Sequence, residues 1–471
     1  MTMDASDRGR EAQARRARRV GIKVGRFFGT DGIRGRAGEP PLDDATVQKI
    51  GRAIVRALGV PSPRVLLGRD TRESGPSLEA HLAAGLAAEG AIPESAGVLP
   101  TPAIAHLARQ RSGGRRQSGY DLGVVISASH NPYEDNGIKV FGGAGRKFSA
   151  ELEEKTESII AELDVPVLGS PTLVHRDLTS AYLGHLFASY HGPSLQGRHL
   201  VVDCANGATS FLARRLFEDL GAKVTVIHDA PDGRNINRGC GATVPREVAD
   251  AVVENGAEMG VAFDGDGDRC ILADANGKVV DGDHVLFLAA RHLAAKGELK
   301  GGAVVGTVMS NVGLEVALGQ LGIPFVRTAV GDRNVLEEME RRGANLGGEQ
   351  SGHVIFLDHE PTGDGLLTAL KVLEVVRHAG RSLAELAAEL PVYPQVLRNV
   401  RVREKQDIET IPEVRRALDR ARTALDGRGR LVVRYSGTEP LLRVMAEGPD
   451  EAEVKALTEE IANCVAHSLG A

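Results

Sequence analysis

The sequence predicts an α/β protein, with three related α/β domains and a smaller α+β domain at the C-terminus. Short hydrophobic strands alternate with helical patterns through most of the chain, which argues for parallel sheets covered by helices. An order of strand, polar loop and helix recurs at three places. From Gln395 onward that order changes, with strands returning antiparallel.

The elements follow in order. Residues 64–67 read as a strand leading through Gly68-Arg-Asp70 to a helix over 77–90 that ends on glycine. Val124-Val-Ile126 reads as a buried strand that stops at Ser127-Ala-Ser129-His-Asn131-Pro132, because Pro fixes φ and biases its predecessor to extended geometry. The Ser129 hydroxyl therefore sits on a loop at a strand's carboxyl end, the edge where open α/β sheets bind ligands. Residues 199–203 lead through a polar loop into a helix over 210–220, and 303–307 lead into a helix over 311–321. In the last segment strands are expected at 396–403, 430–435 and 441–447, with helices at 413–425 and from Asp450. Periodicity lapses into Pro and Gly between these groups. The expected domains are 25–168, 169–280, 281–391 and 395–471. Residues 1–24 are basic, lack an apolar signal region and read as a disordered extension. The Gly/Ser/Arg segment 111–119 reads as a surface insertion.

The chain has 471 residues, and 57 basic against 63 acidic side chains give a net charge of −6. No global basic surface asks for nucleic acid. Its four cysteines, at 204, 240, 270 and 464, have no metal-type spacing and read as structural thiols of a reducing cytoplasm. No apolar run approaches the roughly 18 residues of a membrane span. A cytoplasmic, soluble protein with a small-molecule partner is expected, without membrane or nucleic acid.

Four further segments carry chemistry. Asp264-Gly-Asp266-Gly-Asp268-Arg269 follows a strand, and three converging carboxylates repel one another unless a cation neutralises them. Hard oxygen donors point to Mg2+ or Mn2+. An EF-hand is excluded, since its sixth position would be Arg269 and its twelfth Ala275. A phosphatase with Asp264 as nucleophile is the rival, but its motif wants Thr or Ser where Asp268 stands. Glu349, Ser351 and His353 alternate, which on an extended segment puts a carboxylate, a hydroxyl and an imidazole on one face. Arg434, Ser436 and Thr438 surround Gly437 on a turn suited to phosphate. Phe28-Gly-Thr-Asp-Gly-Ile-Arg34-Gly35 offers another Arg on a Gly-rich loop. Together these loops suit phosphoryl transfer.

These segments, with Asn136-Gly-Ile-Lys139, occur in the order found in the α-D-phosphohexomutases, and residues 25–471 resemble that family. Gln350, where phosphomannomutase/phosphoglucomutases typically carry Met, makes the chain similar to the branch acting on glucosamine phosphates. The resemblance implies four domains around a central active-site cleft, each lending one loop. It implies Ser129 as a phosphoserine, and Mg2+ held by Asp264, Asp266, Asp268 and an oxygen of the Ser129 phosphate. Lys139 and Arg34 would lie beside Ser129, Arg269 beside the metal loop, and Glu349 and Ser351 on the sugar. Arg434, Ser436, Gly437 and Thr438 would hold the remote phosphate. His353 or Lys139 would carry the proton, Lys139 only if cations such as Arg34 depress its pKa. Asp332 is a candidate partner for an amino group. A glucosamine or glucose 1,6-bisphosphate activator and a homodimer are also implied, as is a place in supplying amino-sugar precursors. Asn334, where these mutases often have Tyr, and the 111–119 segment depart from the family pattern.

Overall fold

The computed structural model describes residues 27–29, 31–109, 119–163, 169, 171–436 and 440–470. The basic extension, residues 111–118 of the insertion, and Gly437 and Thr438 lie outside the described residues.

The first three domains repeat one topology. In the first, strand Arg64–Arg69 is flanked by parallel strands Ile92–Val98 and Leu122–Ile126, and Asp135–Gly142 runs antiparallel beside the latter. In the second, His199–Asp203 has parallel neighbours Lys223–Ile227 and Met259–Phe263, with Cys270–Asp274 antiparallel. In the third, Val304–Thr307 has parallel neighbours Phe325–Thr328 and Leu346–Gly348, with Val354–Phe356 antiparallel. The sheets are therefore mixed rather than parallel throughout. The connections 127–134, 264–269 and 349–353 are shorter than the dozen or so residues a parallel crossover needs, so each closes a hairpin. Strands Phe28–Gly29 and Gly32–Arg36 extend the first sheet at the hairpin edge. Val174–His175, beyond the boundary expected after 168, extends its other edge.

Strand periodicity explains how the domains join. Val65, Leu67, Val124, Ile126, Ile138 and Val140 pack outward against helices Asp44–Leu58, Gly75–Ala88 and Ala150–Glu162. Leu66, Val125 and Phe141 point the other way, into one core that runs on through the second and third domains. A buried tether crosses this core. The Tyr182 hydroxyl, on helix Thr179–Ser189, donates to Asp364 at 2.7 Å, and Asp364 caps helix Gly365–Ala379 by accepting from the Leu367 N–H.

The fourth domain is an antiparallel sheet in the order Gln395–Arg401, Leu441–Glu447, Arg430–Tyr435, covered by helices Pro412–Leu425 and Glu451–Leu469. It has its own core around Val414, Leu418, Leu442, Val444, Ile461 and Val465. Its elements match the expected ones to within a few residues.

Tyr182→Phe leaves a buried carboxylate oxygen of Asp364 without its donor. Such a loss costs about 1–3 kcal/mol, so the thermal midpoint of the variant falls, as calorimetry at matched protein concentration reads directly.

Candidate active site

The three hairpin tips come together. With the Phe28–Gly29/Gly32–Arg36 hairpin they surround a cavity of about 440 Å3, lined by Asp31, Arg34, His130, Asp268, Arg269, Asp332, Glu349 and His353. Three copies of one loop position thus supply the hydroxyl, the acidic cluster and the Glu/His pair.

Ser129 is fully buried and sits at φ 53°, a left-handed conformation that costs a non-glycine residue about 1–2 kcal/mol. Its surroundings hold it there. Its N–H donates to Ser127 Oγ at 2.9 Å, and Ser127 donates to Asp70 at 2.5 Å. Its carbonyl accepts from Arg72 at 3.2 Å and Asn237 at 2.9 Å. The hydroxyl donates to Asp264 Oδ2 at 2.5 Å, with His130 Nδ1 3.2 Å away on another side. Asp264 Oδ1 accepts the Arg269 N–H at 3.2 Å. Glycine is required at 265, because a Cβ there would lie 2.7 Å from both the Ser129 carbonyl oxygen and the Asn237 amide.

The acidic loop fits a divalent cation. Ligand oxygens of Asp264, Asp266 and Asp268 lie within 4.8 Å of one another. Asp266 Oδ1 and Asp268 Oδ1 are buried with no hydrogen-bond partner among the described residues. Burial, then the charges of Asp268 and Asp266, push the Asp264 carboxyl well above the usual range. Thr101 fixes the centre of the loop by donating to Asp266 Oδ2 at 2.6 Å.

Cations are drawn to this charge. Lys139 Nζ lies 2.8 Å from Asp266, 3.0 Å from Asp31 and 3.3 Å from Asp268. Burial lowers its proton affinity, but these three carboxylates outweigh burial and hold it well above an ordinary lysine. Depression by neighbouring cations, the condition for Lys139 as a base, is outweighed while these carboxylates carry no metal ion. Lys147 bridges Asp31 and, at 2.5 Å, Asp332. Against the cost of burial, Lys147 and His353 keep Asp332 ionised below the usual range. Arg34 pairs with Asp31 and reaches Asn131 Oδ1 at 3.4 Å.

Glu349 and His353 are not on an extended segment. Gly352, at φ 93°, turns the chain so that the Glu349 N–H donates to the His353 carbonyl at 2.9 Å. Both side chains then face the cavity, while Ser351 is exposed at the tip and does not line it. His353 Nε2 accepts the Gly363 N–H at 3.0 Å, which leaves Nδ1 turned toward Asp268 at 3.7 Å. Burial opposes protonation of this ring, and the Asp268 and Asp332 charges raise its affinity above ordinary. Arg434 and buried Ser436 stand apart: Arg434 lines a shallower depression with Lys405 and Tyr435, and the Ser436 carbonyl accepts from Lys405 at 2.6 Å.

Sequence reasoning assigned no role to Asp31, Asp70, Arg72, Thr101, His130, Lys147 or Asn237. Asp70 and Arg72 follow a strand's carboxyl end, the signal that singled out Ser129. No local signal marked Asn237.

Models of the four phosphoglucomutase/phosphomannomutase domains match residues 25–166, 181–277, 281–393 and 397–464, the first three described as alpha/beta/alpha domains I to III and the last as the C-terminal domain. Fold and site together define a phosphohexomutase. A phosphoglucosamine mutase of Solibacter usitatus is 48% identical over 449 residues, covering 94% of this chain and 99% of the relative. The chain belongs to the phosphoglucosamine mutase family. Among solved structures, a phosphoglucomutase/phosphomannomutase family protein of Burkholderia thailandensis is 27% identical with a TM-score of 0.76, covering 95% of this chain and 98% of that one. An N-acetylphosphoglucosamine mutase of Aspergillus fumigatus, solved with GlcNAc-6P and magnesium, is similar in fold at 21% identity and a TM-score of 0.61, covering 85% and 82%.

Burial, with Arg269 and Arg34 nearby, lowers the His130 pKa from 6.5 to about 4. As pH falls across that window the unfolded chain takes up a proton that the folded chain does not, so this residue's contribution to stability falls too. NMR of labelled histidine, assigned with His130→Gln, is expected to show a ring neutral at pH 6 in the chelator-treated chain. Titration at the ordinary value removes the assignment of this ring as neutral.

Proposed function

We propose that the chain interconverts glucosamine 6-phosphate and glucosamine 1-phosphate, with Ser129 as phosphate carrier and glucosamine 1,6-bisphosphate as intermediate. The observation that carries this reading is the Ser129 hydroxyl, set 2.5 Å from Asp264 where three equivalent hairpin tips meet. An acyl nucleophile has no use for three carboxylates beside it; a phosphate carrier does.

In the forward direction the bond between Ser129 Oγ and phosphorus breaks as sugar O1 takes the phosphoryl group, the proton that O1 loses being matched by the one Ser129 Oγ regains. The bisphosphate reorients, and its 6-phosphoryl group passes to Ser129, whose hydroxyl proton must leave. His130 lies beside that oxygen and is neutral, so its Nδ1 can accept the proton once Asp264 is otherwise engaged. Lys139 and Arg34, as cations, balance the phosphoryl oxygens. His353, with Nε2 accepting the Gly363 N–H, can offer a hydrogen bond from Nδ1 to the oxygen that gains charge. Arg269 and Glu349 line the sugar space, and Arg434, Ser436, Gly437 and Thr438 of the fourth domain receive the remote phosphate. Asp264, Asp266 and Asp268, with a phosphate oxygen on Ser129, would hold Mg2+, which when bound supplies charge neutralisation for the transferred group. A glucosamine or glucose 1,6-bisphosphate would restore a lost phosphate on Ser129.

The phosphatase reading is disfavoured because its motif wants Thr or Ser where Asp268 stands, and because the Ser129 hydroxyl lies against Asp264 at 2.5 Å. No described helix is long and apolar enough to cross a membrane. A cytoplasmic homodimer remains part of the proposal.

Ser129→Ala is expected to lower turnover of glucosamine 6-phosphate by at least about a thousandfold, in the range typical for loss of a covalent nucleophile, and to lack the phosphate that intact mass is expected to report in the unaltered protein. Full turnover in that variant ends the phosphoserine reading. Rates for glucosamine, glucose and mannose 6-phosphates, measured with bisphosphate present, are expected to favour glucosamine. Asp332→Asn should reduce that preference by about tenfold, the order of one charge-assisted hydrogen bond; an unchanged ratio removes Asp332 as the amino-group partner.

A further inference from the structure

We propose that His106, His185 and Glu360 form a second cation site, of the zinc type, at the junction of the first three domains. Each domain contributes one donor. His106 lies on helix Thr101–Ala108 of the first domain and His185 on Thr179–Ser189 of the second. Glu360 precedes helix Gly365–Ala379 in the third.

The donors already converge. His106 Nδ1 and His185 Nε2 both reach Glu360 Oε1, the latter at 2.9 Å, and ligand atoms of all three lie within 4.8 Å of one another. The two imidazoles stack with centroids 3.8 Å apart, which holds their nitrogens toward the same carboxylate. Glu360 is fully buried, and its Oε2 has no hydrogen-bond partner among the described residues. The cation facing it, Arg109, is 4.0 Å from Oε2 and is itself bonded to the His359 carbonyl at 2.8 Å.

Donor chemistry sets the ion. Two imidazoles and one carboxylate suit Zn2+ or a neighbouring transition metal with a water in the fourth position, whereas the all-oxygen set of the active site suits Mg2+. Two other clusters of donor type do not qualify. Around Asp203, His228 and Cys240, both Asp203 oxygens accept backbone N–H groups, and burial pushes the Cys240 thiol up to about 12. At His292, Glu374 and His378, the ammonium groups of Lys371 and Lys296 lie 3.2 and 3.7 Å from Glu374.

A cation here ties three domains at once. Because its donors assemble only when the domains do, occupancy stabilises the assembled state in proportion to free metal.

The test uses the full chain, stripped with chelator and then given saturating Mg2+ to fill the oxygen set. Zn2+ titrated against a chromophoric chelator is expected to bind at one ion per chain and to raise the thermal midpoint. His185→Gln and Glu360→Gln should each weaken that binding by at least about tenfold, while Asp264→Asn leaves it unchanged. Co2+ in the unaltered chain should show the visible absorption of a low-coordinate site without thiolate charge transfer, a readout that needs no variant to fold. Absence of stoichiometric Zn2+ binding, affinity unmoved by both substitutions, loss of binding in Asp264→Asn, or a thiolate band with Co2+ would each overturn the proposal.

Discussion

Concentrated negative charge is the constraint on which this site depends. Asp31, Asp264, Asp266, Asp268 and Asp332 crowd a small, largely buried space, and their repulsion must be met by positive charge. Lys139 is held among three of them and Lys147 between two. The same charge draws Arg34 and Arg269 to the cavity and keeps a proton on His353. A phosphorylated ligand enters a space where cations and anions are already interleaved. Small shifts in one group therefore alter several others.

Much of this was legible in the sequence. Glycine-separated carboxylates have few purposes, and Ser129 announced itself by ending an apolar run. The repeat was visible as strand, loop and helix, yet the direction of the last strand in each unit was not, because side-chain alternation is the same in parallel and antiparallel strands. Connection length held that information: Ile126 to Asp135 is too short a path for a crossover. The alternation of Glu349, Ser351 and His353 misled for a related reason, since one left-handed glycine converts a strand face into a hairpin tip. The protonation of Lys139 was beyond local reading. It is set by Asp31 and Asp266, more than a hundred residues away on either side.

Positioning of Ser129 rests on residues outside the cavity lining. Arg72 and Asn237 hold its carbonyl, Ser127 holds its amide, and together they maintain a backbone angle that the residue would not otherwise favour. Arg72 comes from the first domain and Asn237 from the second. The geometry of Ser129 is thus a property of how two repeats dock, not of its loop alone.

The hairpin tips carry a consequence for traffic through the cleft. Each is anchored at both ends by hydrogen-bonded strands, and the sheets behind them share one continuous interior. Such walls cannot swing aside as a free lid does. The fourth domain, with an interior of its own, meets the third through contacts such as Arg430 on the Ser310 carbonyl at 2.9 Å. A ligand that must turn end over end between two transfers needs room that three fixed walls do not give. In the proposed reaction that room has to come from the fourth side, whose interior is separate from the one the other three share.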